Sequence, residues 1–323
     1  MTQDLLLETI QSQNNWLITT HKGPDGDAVG SVVAWAAYAK QLSKDYLIIF
    51  PDQPAAYLCP FLEGYNWEVF SVEKAYGGDL LFALDYNAAS RVGEQMAAWF
   101  EQQTLTKIML DHHPNPADFV QISISIPTAC STTEVIYHVL DDLQQLDQID
   151  LAMAKGLYLG LMTDTGSFRF PSVSSYTHRM TAHLLTLGLE QHLIHEAVYD
   201  VNSVTRLQLR GYAIAEKLKL FPAQRLGIMS LTKEELKRFA YQKGDTEGLV
   251  NVILSIEGYD AGVFLMETEE GVKLSFRSKG KRFVNAFAQA HFNGGGHQYA
   301  AGGFHEGSLI EALTKLESLK EQL

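Results

Sequence analysis

Cysteine is scarce in this 323-residue sequence: only Cys59 and Cys130 occur. Two thiols are too few for a disulfide framework or a thiolate zinc site. No apolar run approaches the roughly 18 residues that a membrane helix needs. The opening stretch, MTQDLLLETIQSQNNW, has neither a basic leader nor a small-residue cleavage site. These absences together predict a cytoplasmic protein with no membrane partner. Positive charge is also short, 25 Lys and Arg against 38 Asp and Glu, for a net charge of -13. Long nucleic acids bind mainly through neutralised phosphates, so this balance argues against a protein that tracks along duplex DNA. A small phosphorylated substrate, held by a local basic pocket or by metal ions, stays compatible with it. Three common catalytic signatures are missing as well. There is no GxSxG elbow, no GxxxxGK[ST] phosphate loop and no GxGxxG fingerprint after the first apolar run.

What the chain does contain is 46% hydrophobic and 20% charged residues, as in soluble globular proteins. Its length suits two domains better than one core. In the first half NNWLIT, YLIIF, DLLFALD and KIMLD read as short buried strands. Between and after them, DAVGSVVAWAAYAKQLS, SRVGEQMAAWFEQQ, STTEVIYHVLDDL and DLAMAKGLYLGLMTD read as helices. Strands alternating with helices predict an α/β domain with a mostly parallel sheet flanked by helices. Residues from about Ser174 to Arg210 read as helical and connect the halves. From about Gly211 the texture changes to a smaller α/β region. RLGIMSL reads as a strand, DAGVFLMETEEGVKLSFRS as a hairpin, and TEGLVNVILSI and RFVNAFAQAHF as helices; NGGGHQYAAGGF is rich in glycine.

Ligand groups in parallel sheets lie at the carboxyl ends of strands. His21 follows the first strand, Asp85 ends DLLFALD, and Asp111 with His112 ends the KIMLD run. The stretch TTHKGPDGDAVGS crowds His21, Asp25 and Asp27 together, and Asp164 closes a helix at TDTG. Two carboxylates that near repel unless something positive lies between them. Asp25 and Asp27 also stand at the start of a predicted helix, where each alone reads as a cap or turn residue; the helix dipole favours anions there by only about 0.3–1 kcal/mol. Taken as one set, His21, Asp25, Asp27, Asp85, His112 and Asp164 make a mixed oxygen and nitrogen field. Such a field suits Mn²⁺, with Mg²⁺, Co²⁺ or Zn²⁺ as alternatives. Six ligands exceed the need of one four-coordinate zinc. If one carboxylate bridges, they would hold two ions about 3.5–4 Å apart, which acidify a bridging water and steady phosphoryl charge. The remaining histidines lie mostly on helical segments.

HKGPDGDAVGS, ALDYNAASR, LDHHPNP and GLMTDTGSFRF resemble, in order, the four motifs of the DHH phosphoesterase family, and KLSFRSKG with FNGGGHQYAAGG resembles its DHH-associated C-terminal domain. The resemblance spans nearly the whole chain. It implies a catalytic metal-binding domain over residues 1–186, a helical linker over 187–210 and a substrate-binding domain over 211–323. It implies one metal on His21, Asp25 and a bridging Asp85, and a second on Asp27, Asp85, His112 and Asp164. Asp111 would support the site from behind, and His113 would face the substrate phosphate and hand a proton to the leaving oxygen; its plainer alternative is a local hydrogen bond only. Substrate binding would fall to Arg277, Ser278, Asn293, Gly294, Gly295, Gly296 and His297. The glycine run reads otherwise as a flexible helix terminus, and Arg277 as an exposed strand residue. By the resemblance the substrate lies between the two domains.

The family includes single-strand exonucleases, pyrophosphatases, cyclic-dinucleotide phosphodiesterases and the oligoribonuclease (nanoRNase)/pAp-phosphatase group. The length leaves no room for the extra binding domain of the long exonucleases, and GGGH is not the lysine-rich motif of the pyrophosphatases. The chain most resembles the nanoRNase/pAp-phosphatase group. That implies Mn²⁺-dependent attack of a metal-bridging hydroxide on very short RNA, giving 5′-mononucleotides, and on pAp, giving AMP. The alternatives are a hydrolase of linear or cyclic dinucleotides such as pApA and c-di-AMP, and a non-catalytic nucleotide-binding regulator. The subunit number is left open, a homodimer included.

Overall fold

Strands that carry apolar side chains on both faces need cover on both, and the first unit of the chain supplies it. The computed structural model describes residues 2–323 and divides into two compact units, Met1–Val201 and Asn202–Leu323. In the first unit, helix α1 (Thr2–Ser12) leads into β1 (Asn15–Thr19), α2 (Gly26–Gln41), β2 (Asp45–Phe50), β3 (Trp67–Val69) and β4 (Leu80–Leu84). Then come α3 (Glu94–Gln102), β5 (Thr106–Asp111), β6 (Ile122–Ser125), α4 (Thr132–Asp142), α5 (Leu151–Asp164), α6 (Ser175–Thr186) and α7 (Gln191–Tyr199).

The six strands form one sheet in the order β3-β2-β1-β4-β5-β6, with every pairing parallel. Strand side chains alternate between faces. Trp16 and Ile18 of β1 join Phe82, Ile108 and the α2, α4 and α5 side chains in one core. Leu17 points the other way, with Leu81, Met109 and the α3 residues Met96 and Phe100. The chain runs outward from β1 to β3, returns to place β4 beside β1, and runs outward again. The order therefore reverses between β1 and β4, where parallel sheets open a crevice for ligands.

α2 owes its start to Asp25, whose side chain accepts from the Asp27 and Ala28 amides. Its alanines let it pack tightly on α5. A Cβ on Gly30 would stand 2.4 Å from the Gly156 carbonyl oxygen, and one on Gly156 would stand 2.6 Å from that of Gly30. No side chain larger than hydrogen fits at this crossing.

The second unit holds α8 (Val204–Glu216), β7 (Lys219–Phe221), β8 (Leu226–Leu231), α9 (Lys233–Arg238), α10 (Leu249–Leu254), β9 (Ala261–Glu267) and β10 (Val272–Ser278). It ends with α11 (Asn285–His291), β11 (Gly295–His297), β12 (Ala300–His305) and α12 (Leu309–Leu319). Its sheet has the order β11-β12-β10-β9-β8-β7 and is antiparallel except for β8 with β9. α8, α9 and α10 cover one face, and α11 and α12 the other.

Residues 187–210, read as a helical linker, are shared between the units. Ile194 and Val198 of α7 are buried in the first core, and Leu209 of α8 in the second. Their apolar faces need that cover. Among the described residues, no helix is long and apolar enough to cross a membrane.

Candidate metal centre

Five loops and helix ends meet above the crevice between β1 and β4. His21 follows β1, and Asp25 and Asp27 begin α2. Asp85 follows β4, Asp111 ends β5 just ahead of His112 and His113, and Asp164 is the last residue of α5. Histidine and carboxylate ligand atoms here form three groups, each within 4.8 Å: His21 with Asp25 and Asp85, Asp27 with His112 and Asp164, and Asp85 with His112 and His113.

Asp85 stands where these groups join. Its Oδ2 is 3.2 Å from His21 Nε2, and its Oδ1 is 3.7 Å from both His112 Nε2 and His113 Nδ1. It is 2% exposed and its backbone is left-handed, with φ at 66°. Asp and Asn tolerate that region better than most residues, and such strain gathers at functional sites. Its N–H donates to the Leu110 carbonyl at 3.1 Å, which ties the bend to β5.

His21 is oriented from behind: its Nδ1–H donates to the Lys22 carbonyl at 3.0 Å, leaving Nε2 to face Asp85 and, at 3.9 Å, Asp25. Burial alone would lower its pKa. The hydrogen bond and charge of Asp85, with Asp25 behind, outweigh burial and raise it to about 9. His112 Nε2 lies 3.3 Å from Asp164 and 3.9 Å from Asp27.

Asp27 is fully buried against the start of α4, accepting from the Thr132 amide at 2.6 Å and the Thr133 amide at 3.1 Å. Burial first, then repulsion from Asp85 and Asp25, still pushes it well above the usual carboxylate range. The half-buried Asp164 is raised by burial and by the same neighbours, Asp27 foremost. Carboxylates so crowded and dehydrated call for a cation.

Asp111 is fully buried and pairs with His113. It accepts from the His113 amide at 3.0 Å and from Nδ1–H at 2.7 Å. Burial would lower the His113 pKa, but the Asp111 hydrogen bond and the charges of Asp85 and Asp111 raise it.

Residues 15–161 match the DHH family, N-terminal domain, and residues 229–322 match the DHHA1 domain. The chain is 30% identical over 312 residues to the bifunctional oligoribonuclease and PAP phosphatase NrnA of Thermus thermophilus, covering 95% of this chain and 89% of that protein. The chain belongs to the DHH phosphoesterase family. It is also 24% identical to the Bacillus subtilis protein of the same name, over 92% of this chain and 91% of that one. The crystal structure of an exopolyphosphatase-related protein from Bacteroides fragilis superposes with a TM-score of 0.95 at 33% identity, covering 99% of this chain and 96% of that one.

In the DHHA1 domain the expected substrate residues lie on neighbouring strands. Arg277 of β10 pairs with Ala300 of β12, and Ala300 pairs with His297 of β11. Directly opposed residues share a sheet face. A guanidinium and an imidazole therefore flank an alanine, with their strands roughly 10 Å apart. Arg277 also donates to the Phe276 carbonyl at 2.9 Å, and burial lowers its pKa. Ser278 is buried and donates to the Arg282 carbonyl at 2.7 Å.

Of the glycine run, read as a loop or a helix terminus, Gly295 and Gly296 fall in the edge strand β11 and Gly294 just precedes it. Gly294 and Gly296 are required by the hairpin, because a Cβ would stand 2.0 Å from the Gly302 oxygen and 2.6 Å from the Ala300 oxygen respectively. Gly295 faces open space, and Asn293 turns into the strand with φ at 46°.

Two residues at the metal centre escaped the sequence reading. Thr132 and Thr133 offer amides to Asp27, and Thr132 Oγ1–H also donates to Asp85 at 2.9 Å. The only local signal was STTE as a helix start, which says nothing of carboxylates 47 and 105 positions away.

Proposed function

We propose that this protein is a phosphoesterase dependent on two divalent cations, hydrolysing very short oligoribonucleotides to 5′-mononucleotides and pAp to AMP in the cytoplasm. The observation that carries the reading is Asp85, whose two oxygens face opposite histidines of one buried cluster. The names of the relatives supply the substrate class. His21, Asp25 and Asp85 would hold one cation, and Asp27, Asp85, His112 and Asp164 the other. The donor set of four carboxylates and two imidazoles favours Mn²⁺, with Mg²⁺ or Co²⁺ able to substitute. Bound there, the cations would acidify water and neutralise charge on the phosphoryl group.

The chain's own residues do the rest. Asp111 keeps the His113 Nδ1 proton in place and the imidazole charged, so that His113 serves as the general acid. As the water oxygen bonds to phosphorus and the P–O bond to the sugar breaks, His113 gives its proton to the departing oxygen. In the second unit the face bearing Arg277 and His297, with Ser278, Asn293 and the glycines beside it, would hold a further substrate phosphate. A forked guanidinium suits that role.

The test is turnover by purified protein with Mn²⁺ on pAp, diribonucleotides, pApA, c-di-AMP and pyrophosphate. The reading expects release of AMP from pAp and of mononucleotides from the diribonucleotides. Preference for pApA or c-di-AMP would move the protein to a dinucleotide hydrolase. Metal binding with no turnover of any would favour the non-catalytic nucleotide-binding regulator.

A further inference from the structure

Thr132 touches both halves of the carboxylate cluster and belongs to neither of its histidine sets. It is fully buried at the first position of α4, whose start is fixed by Ser131 accepting from the Glu134 amide. Glu134 in turn accepts from the Cys130 amide at 2.7 Å and from the Thr177 hydroxyl at 2.6 Å. The residue therefore sits on a braced helix end rather than a free loop. From there its N–H donates to Asp27 at 2.6 Å and its hydroxyl to Asp85 at 2.9 Å.

A carboxylate that must serve two sides at once needs its plane fixed. Asp85 Oδ2 is already directed at His21, at 3.2 Å. Oδ1 has His112 and His113 both 3.7 Å away, beyond hydrogen-bond distance. The Thr132 hydroxyl is within hydrogen-bond distance of this second oxygen. A valine of the same shape would leave Oδ1 without that donor, free to rotate towards either histidine.

We propose that Thr132 is the positioning residue that sets the Asp85 carboxylate plane, so that one oxygen is presented to each half of the metal centre. The proposal rests on the two-cation reading of the site. Its effect is on occupancy by a pair of ions, not on the presence of a first ion. Partners behind a metal ligand typically change affinity 10- to 100-fold when removed.

The experiment uses metal-stripped full-length protein titrated with Mn²⁺ by calorimetry, with paramagnetic resonance of the loaded samples. Wild type should bind two ions and give the signal of a spin-coupled pair. Thr132→Val should bind one ion near normally and the second about tenfold or more weakly, with the signal of isolated Mn²⁺ at two equivalents. Thr132→Ser should restore pair binding, and Thr132→Ala should repeat the valine result if valine disturbs folding, checked by thermal melting. Valine protein that binds both ions as wild type does, or serine protein that fails like valine, overturns the role of Thr132. Wild type that binds fewer than two ions overturns this inference together with the two-cation reading, and that outcome is visible before any variant is made.

Discussion

Gly160 leaves no room for a methyl group beside Asp27: a Cβ there would stand 2.3 Å from Asp27 Oδ1. It would also stand 2.4 Å from the Thr133 side chain, whose amide holds the same carboxylate. α5 thus forms the third wall of the Asp27 pocket, with the α4 amides as the second and α2 itself as the first. Gly26 and Gly30 keep α2 equally close, since a Cβ on Gly26 would stand 2.4 Å from Thr163. The glycines bring two carboxylate-bearing helices together at a distance that side chains would forbid.

Gly160→Ala should therefore disturb the centre more than the fold. Overpacking of this kind costs about 1–3 kcal/mol, which lowers the melting temperature by several degrees. The displaced Asp27 should weaken Mn²⁺ binding about tenfold or more. Calorimetry beside a melting curve separates the two effects. Unchanged Mn²⁺ affinity in a folded Gly160→Ala protein would show that the close packing of α5 does not set the position of the Asp27 carboxylate.

Replacing Asp85 tests the shared carboxylate directly, and its left-handed backbone decides which replacement is informative. Asn adopts that conformation readily, so Asp85→Asn removes charge with little added strain. Bound Mn²⁺ should fall from two per chain towards one, and turnover of pAp by about a hundredfold or more. Asp85→Ala adds backbone strain of about 1–2 kcal/mol and should melt lower than Asp85→Asn. Full activity and metal content in either variant, or in His112→Ala, is incompatible with a bridged pair.

Much of this arrangement was legible because the central strands are short apolar runs that end on polar residues. β1, β4 and β5 announce themselves, and so do the side chains that follow them. The capping role of Asp25 was legible too, and it coexists with its place beside His21. β3 and β6 are three or four residues at the sheet's margins, too short to carry a period, and exist because β2 and β5 offer them partners. Most residues of the β11 and β12 strands are Gly and Ala, which have low strand propensity. Their strand character comes from β10 pairing with β12. Thr132 was hidden for a different reason, since its partners are brought to it only by the fold.

Metal-free protein should lose stability as pH rises, the reverse of ordinary acid unfolding. His21 is at about 9 in the fold against an ordinary 6.5. Its stabilising charge is fully present below about 6.5 and is lost as pH climbs through about 9, a change of about 3 kcal/mol. Asp27 and Asp164, raised by burial and crowding, push the same way above the ordinary carboxylate range. Asp85 is lowered despite its burial by His21 and the other histidines, so its contribution disappears only in strong acid. Melting temperatures in EDTA should fall between pH 6.5 and 9, and His21→Asn should flatten that slope. A melting temperature that climbs over this range would contradict the charge pairing of His21 with Asp85.

His113 offers the sharpest separation between chemistry and scaffolding, because a general acid matters only when the departing group needs a proton. Its Nδ1–H is held by Asp111 at 2.7 Å, and that contact with the nearby carboxylates raises its pKa above the ordinary histidine value. Wild-type kcat on pAp should then decline on the alkaline side, at a pH above that ordinary value, as the proton is lost. His113→Asn should lower kcat by about 10²–10⁴, and its rate should lack the alkaline decline. On a p-nitrophenyl phosphoester, whose leaving group departs as a stable anion, the same variant should lose far less. Asp111→Asn should shift the wild-type decline to lower pH, because the imidazolium loses its carboxylate partner. Equal losses on pAp and on the activated ester would mean that His113 only shapes the pocket, and the proton would have to come from solvent.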